Sequence, residues 1–129
     1  MHPTTLGSFL TAAAFAANSN AVSLFVADSA GSLTTLALTE SQKGFDLSVT
    51  SKSSECQASP SWLTLDKSSR VLYCLDRGGN TASSGSLNSF SIGEGGALKH
   101  IARVKAPVSG VAGEIVSGAN GRRGYFSAS

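Results

Sequence analysis

Beyond residue 21 the chain alternates short apolar, strand-forming runs with polar segments rich in Ser, Gly, Asn and Asp. Pro60-Ser61-Trp62-Leu63-Thr64-Leu65-Asp66 and Arg70-Val71-Leu72-Tyr73-Cys74-Leu75-Asp76 flank the polar stretch Lys67-Ser68-Ser69. Strand formers on either side of residues that hydrogen-bond their own backbone predict a β-hairpin. Closing it at Asp66 and Val71 sets Cys74 opposite Leu63. Further strands are expected over residues 22–26, 32–38, 44–50, 86–92, 98–104 and 108–116, with another beginning at Tyr125. Phe45, Leu47 and Val49 alternate with polar residues, which predicts a strand with one face in water, placed at the outside of its sheet. Leu33, Leu36 and Leu38 break that alternation, as strands covered on both faces do.

Part of the pattern recurs. Leu24-Phe25-Val26-Ala27-Asp28, a turn and Gly31-Ser32-Leu33-Thr34-Thr35-Leu36 return as Leu72-Tyr73-Cys74-Leu75-Asp76, a longer turn and Gly85-Ser86-Leu87-Asn88-Ser89-Phe90. Asp28 and Asp76 stand 48 residues apart, Gly31 and Gly85 54, and Pro60 and Pro107 47. Tyr125-Phe126-Ser127-Ala128-Ser129 begins the unit a third time, with Ser129 another 53 residues beyond Asp76. A period of about 40–50 residues with about four short strands per unit is that of a β-propeller blade. Closure takes about four to eight blades. The 129 residues hold roughly two and the start of a third, so the expected fold is an all-β, incomplete β-propeller. Unpaired sheet edges in such an arc favour self-association.

Composition narrows this further. With 41% hydrophobic and 14% charged residues the chain can build a packed core. Ten basic and eight acidic side chains are scattered, and Arg122-Arg123 is the sole adjacent basic pair, so no stripe for nucleic acid is present. Residues 1–21 differ: a run of apolar and small residues, Leu6 to Ala17, precedes small-x-small sites at Ala14-Phe15-Ala16 and Ser19-Asn20-Ala21. This predicts a secretory signal peptide, with mature protein beginning between Ala17 and Val22 and the propeller over residues 22–129. The basic n-region is thin, with His2 its one candidate; a buried helix in a cytoplasmic protein is the alternative. The run is too short to span a membrane as a helix.

Few residues carry candidate chemistry. Cys56 and Cys74 invite a disulfide in a secreted chain. With Cys74 opposite Leu63, however, an extended chain puts Cys56 roughly 20 Å away at about 3.3 Å per residue, and Cys74 is therefore expected as a buried apolar filler. No Cys/His set has zinc spacing. Ser109-Gly110 lacks the flanking glycines of a nucleophile elbow, with Pro107 and Val111 in their places. Gly93-Glu94-Gly95-Gly96 is expected as a hairpin turn. Asp28, Asp66 and Asp76 end strands, where a carboxylate usually caps backbone N–H groups. His100, without an acidic neighbour in sequence, is expected as a half-buried strand residue. If the strands opened by Pro60 and Pro107 are innermost, Ser61, Trp62, Val108 and Ser109 stand nearest the mouth of the central tunnel. Of these the Ser61 and Ser109 hydroxyls are the expected hydrogen-bond donors to a ligand, and Trp62 is expected to divide its role with packing between blades.

The segments from Ser59 to Asp66, Leu72 to Asp76, Gly85 to Phe90 and Pro107 to Val111 resemble the N-terminal blades of fungal lactonase-type propellers. That group includes carboxy-cis,cis-muconate cyclases and is similar to propeller-type 6-phosphogluconolactonases. The resemblance implies a seven-bladed parent that opens or closes a lactone ring of a small carboxylated or phosphorylated compound, with no metal or organic cofactor. It also implies an acid/base His with Arg and Glu partners in later blades, so no catalytic residue falls on this chain. Gly124-Tyr125-Phe126-Ser127-Ala128-Ser129 departs from the Ala-His-Tyr-Ser-Gly-Ser of many relatives. A non-enzymatic remnant or protein-binding scaffold is the competing expectation.

Overall fold

The computed structural model describes residues 21–129. The expected signal segment lies, Ala21 apart, outside the described residues. Nine strands follow in order: β1 (Val22–Ala27), β2 (Leu33–Ser41), β3 (Gly44–Ser53), β4 (Pro60–Asp66), β5 (Val71–Asp76), β6 (Gly85–Ile92), β7 (Leu98–Ala106), β8 (Ala112–Ser117) and β9 (Arg123–Ala128). They form three antiparallel sheets in chain order: β1-β2-β3, β4-β5-β6-β7 and β8-β9. Successive up-and-down sheets of this kind, packed face to face, make an arc of a β-propeller with one four-stranded blade at its centre. The sequence repeat aligns β1, β2 and β3 with β5, β6 and β7, and β8 and β9 with β4 and β5.

The β4–β5 hairpin has the register expected of it, Asp66 opposite Val71 and Leu63 opposite Cys74. Alternation along β5 then decides how the sheets stack. Leu72 and Cys74 point one way, into a core with Leu33 of β2, Phe90 of β6 and Cys56. Tyr73 and Leu75 point the other way: the Tyr73 and Tyr125 rings lie 5.8 Å apart, and the Leu75 side chain packs on Gly110. Burying a side chain such as Leu72 or Phe90 contributes about 1.5–3 kcal/mol, and so β5, covered on both faces, anchors the arc.

The end sheets are different. Phe45, Leu47 and Val49 do share one face, but β3 is exposed on both faces over residues 44–50, with Phe45 69% accessible. Val22, Leu24 and Val26 of β1 lie on that shared face too, because Leu24 pairs with Leu36 and Leu36 with Val49. At the other end, Val116 and Phe126 of β8 and β9 are exposed, Phe126 at 65%.

Two expectations are corrected. Cys56 and Cys74 form a disulfide, with Cα atoms 5.9 Å apart. The hairpin register is as expected, but residues 54–59 are not extended. A turn closes from Gln57 N–H to Ser54 O, Gln57 takes φ 81°, and buried Asn88 donates to Cys56 O, so the chain doubles back over β5. Second, the strand expected over 108–116 begins at Ala112. Ser109 turns the chain at φ 63° and its N–H goes to Arg77 O, which makes residues 107–110 a loop and breaks the parallel with Pro60, the first residue of β4. The hairpin turn expected at Gly93-Glu94-Gly95-Gly96 is present between β6 and β7 as a single 3-10 turn, and Gly96 at φ 79° fits tightly against Thr35 of β2.

Candidate functional site

The antiparallel order puts every connection at one of two ends. The turn after β1, residues 54–59, the loop 77–84 and residues 107–111 gather at one end, called the loop end below. Residues 67–70, 93–97 and 118–122 gather at the other, the hairpin end. Strand-end aspartates organise both. At the loop end Asp28 Oδ1 accepts from the N–H groups of Ala30 and Ser32 (2.9 and 3.1 Å). Its repeat partner Asp76 is buried; Oδ1 accepts from Ser59 and Gly78 N–H, both at 3.0 Å, and Oδ2 from the Ser86 hydroxyl at 3.1 Å. Asp76 thus fixes two walls of this end from beneath. Gly85 must be glycine beside it, since a Cβ would press on the carbonyl oxygens of Asp76 and Pro107.

Above this scaffold lies a mostly polar cleft of about 530 Å³. Ser29, Ser59, Arg77, Asn80 and Ser109 line it, together with the backbone of Gly78 and Gly79, so four connections from all three sheets meet there. Arg77 is its one charged side chain, and the described residues give that guanidinium no carboxylate partner. The volume falls in the range of small-molecule sites.

The residues expected at a tunnel mouth are divided between two places. Ser109 lines the cleft. Ser61 and Trp62 line a separate groove of about 300 Å³ with Ala27, Pro60 and Leu63, on β4 where it faces the end of β1. The Ser61 hydroxyl donates to Gly110 O at 2.7 Å and lies 3.1 Å from Leu75 O, tying β4 to the next blade. Its oxygen remains free to accept. Trp62 is 44% exposed. Arg77, Asn80, Ser29 and Ser59 were not singled out in the sequence. The signal for Arg77 was there: it is the cation that opens the long loop directly after the repeated Asp.

The hairpin end contains a larger cavity, about 700 Å³, lined by Phe25, Leu65, Lys67, Arg70, Ile92 and Glu94 among others. Its chemistry is less apt, because the Arg70 guanidinium already donates to the Ile92 and Gly93 carbonyls and the opposite charges of Lys67 and Glu94 share its wall. Nearby, buried Asp66 accepts from the Arg123 guanidinium of β9, from the Ser68 hydroxyl and from Ser69 N–H. Burial alone would raise the Asp66 carboxyl; the hydrogen bonds from Ser69, Arg123 and Ser68 outweigh it and hold it down at about 2. Tyr125, whose hydroxyl lies 3.4 Å from that of Thr64, is raised, mainly by burial. A third polar cluster is structural as well: Arg103 donates to Asn88 Oδ1 (2.7 Å) and Glu55 O (2.7 Å), and half-buried His100 reaches Asn88 at 3.4 Å with its ring edge-on to Phe90. Among the described residues no group of three or more His, Cys, Asp or Glu side chains is arranged to hold a metal ion.

No curated protein matches the chain. A family model does, over residues 19–129, and its description, a lactonase of seven-bladed β-propeller form, agrees with the blade order and the repeat: the chain belongs to the seven-bladed lactonase propeller family.

Proposed function

We propose that this chain supplies part of the substrate-facing end of a propeller that opens or closes the lactone ring of a small carboxylated or phosphorylated compound. The observation that carries the reading is the loop-end cleft, where connections from three successive sheets bring together hydroxyls, a carboxamide and a guanidinium in a chain of this family. These groups bind and orient; none is arranged as a nucleophile or a general base. The chain by itself is therefore expected to hold ligand without turning it over. In an assay following acid release from 6-phosphogluconolactone and glucono-δ-lactone, the rate should equal that of buffer. In saturation-transfer NMR the phosphorylated product should give signal that competes with its lactone. Saturable hydrolysis would overturn the division of labour, and absence of both binding and turnover would overturn the lactone reading.

A second reading has an observation of its own. The apolar faces carrying Leu24, Phe45 and Leu47 at one end of the arc and Val116 and Phe126 at the other are exposed, as suits a non-enzymatic scaffold that assembles through stacked sheets. Concentration-dependent growth in size-exclusion chromatography with no ligand binding would favour it. Export from the cytoplasm is part of the first proposal, and the Cys56–Cys74 bridge supports it, since such bonds persist in oxidising compartments. N-terminal sequencing of secreted material should begin between Ala17 and Val22.

A further inference from the structure

The loop-end cleft has a more specific chemistry than its family requires. Its lining includes the Ser29, Ser59 and Ser109 hydroxyls, the Asn80 carboxamide and one formal charge, that of Arg77. Asp76 is absent from that lining and has both oxygens occupied by donors from Ser59, Gly78 and Ser86. Asp28 is turned into its own loop, toward Ala30 and Ser32. The acidic groups hold the walls, and Arg77 is the one charged residue in the lining. This contrasts with every other arginine whose guanidinium contacts are described above: Arg70 serves two carbonyls, Arg103 an amide oxygen and Glu55, Arg123 an aspartate.

We infer that the cleft is an oxyanion subsite: it takes the carboxylate or phosphate of a small molecule, with Arg77 as the charge partner and the hydroxyls of Ser59 and Ser109 as flanking donors. Hydrogen bonds from an ionised partner are roughly twice as strong as neutral ones, and guanidinium geometry matches the two oxygens of either anion. Ser109 is held at φ 63° with its N–H bonded to Arg77 O at 2.9 Å, so the backbones of the serine and the arginine are tied together. The inference extends the lactone reading by naming which residues grip the acidic group, but its test involves no lactone.

The full 129-residue chain, isotopically labelled, is titrated with inorganic phosphate and separately with gluconate at constant ionic strength, with chloride as the reference anion. Saturable shifts are expected at the amides of Gly78, Gly79, Asn80 and Ser109, with a dissociation constant in the millimolar range, and the tighter of the two anions identifies the group. Arg77→Gln should weaken binding at least about tenfold, the equivalent of about 1.4 kcal/mol. Ser109→Gly, which keeps the positive φ and removes the hydroxyl, should weaken it less. Shifts no larger than with chloride, or shifts unchanged in Arg77→Gln, overturn the subsite. A longer protein containing these blades that hydrolyses lactones with Arg77 dispensable would sink the subsite and keep the lactone reading. Anion binding without lactone turnover in such a protein would do the reverse.

Discussion

Two arginines stand at opposite ends of the same sheets and have opposite circumstances. Arg123, at the hairpin end, meets Asp66, Ser68 and Ser69 across the gap between β9 and the β4–β5 turn. Arg77, at the loop end, follows an aspartate of the same repeat position as Asp28, yet that aspartate is turned inward to Ser59, Gly78 and Ser86. At one end an ion pair joins neighbouring blades. The other uses its acids to shape loops, and its Arg77 is the one charged residue that lines the cleft. The same chemical groups thus serve stability at one end and are available for recognition at the other, and the difference lies in whether the strand-end carboxylate is spent on a guanidinium or on backbone N–H groups.

The largest break in this comparison should come from the loop-end scaffold. Cys56→Ser with Cys74→Ser opens a bridge spanning 18 residues, and the loss of loop-closure entropy predicts about 3 kcal/mol of destabilisation. Urea denaturation should show it, and anion binding should fall because residues 54–59 form one wall of the cleft. Next, Gly85→Ala drives a Cβ against two backbone carbonyls that cannot rotate aside; a cost of about 1–3 kcal/mol is expected from overpacking, read as a lower urea midpoint with unchanged slope.

The blade repeat was legible because it rests on local chemistry. Asp28 and Asp76 cap turns, Gly31 and Gly85 leave no room for a side chain, and the β4–β5 register follows from where Lys67-Ser68-Ser69 can turn. The disulfide was not legible, since it depends on Gln57 adopting φ 81° and on Asn88, thirty-odd residues away, catching Cys56 O. Spacing along an extended chain cannot show a loop that doubles back. The cleft was half legible. Ser109 is reached through Pro107, although the proline opens a loop rather than a strand; Arg77 is marked only by its place after the repeated Asp, which shows where it stands in the blade but not what it faces. Phe45, Leu47 and Val49 alternated as read, but alternation says that one face is apolar, not that a neighbour covers it.

At the hairpin end the effect is pH-dependent. The folded Asp66 value of about 2 lies below the about 3.9 of an unfolded aspartate. The stability this provides is whole above about pH 4 and disappears as pH falls toward about 2. Asp66→Asn should flatten that part of the stability curve, measured by chemical denaturation across the acid range, and leave the anion titration untouched. The smallest effect on stability belongs to Arg77→Gln, within about 0.5 kcal/mol as for an exposed residue outside any packed feature.

The contrast between the two ends is tested most directly by measuring urea stability and phosphate affinity on the same three proteins: the unaltered chain, Arg77→Gln and Arg123→Gln. The predicted result is a double dissociation, with Arg77→Gln losing at least about tenfold in affinity at unchanged midpoint, and Arg123→Gln losing stability at unchanged affinity. Equal losses of affinity in both variants, or a loss of stability in Arg77→Gln matching that in Arg123→Gln, would contradict the assignment of recognition to the loop end and of blade joining to the hairpin end.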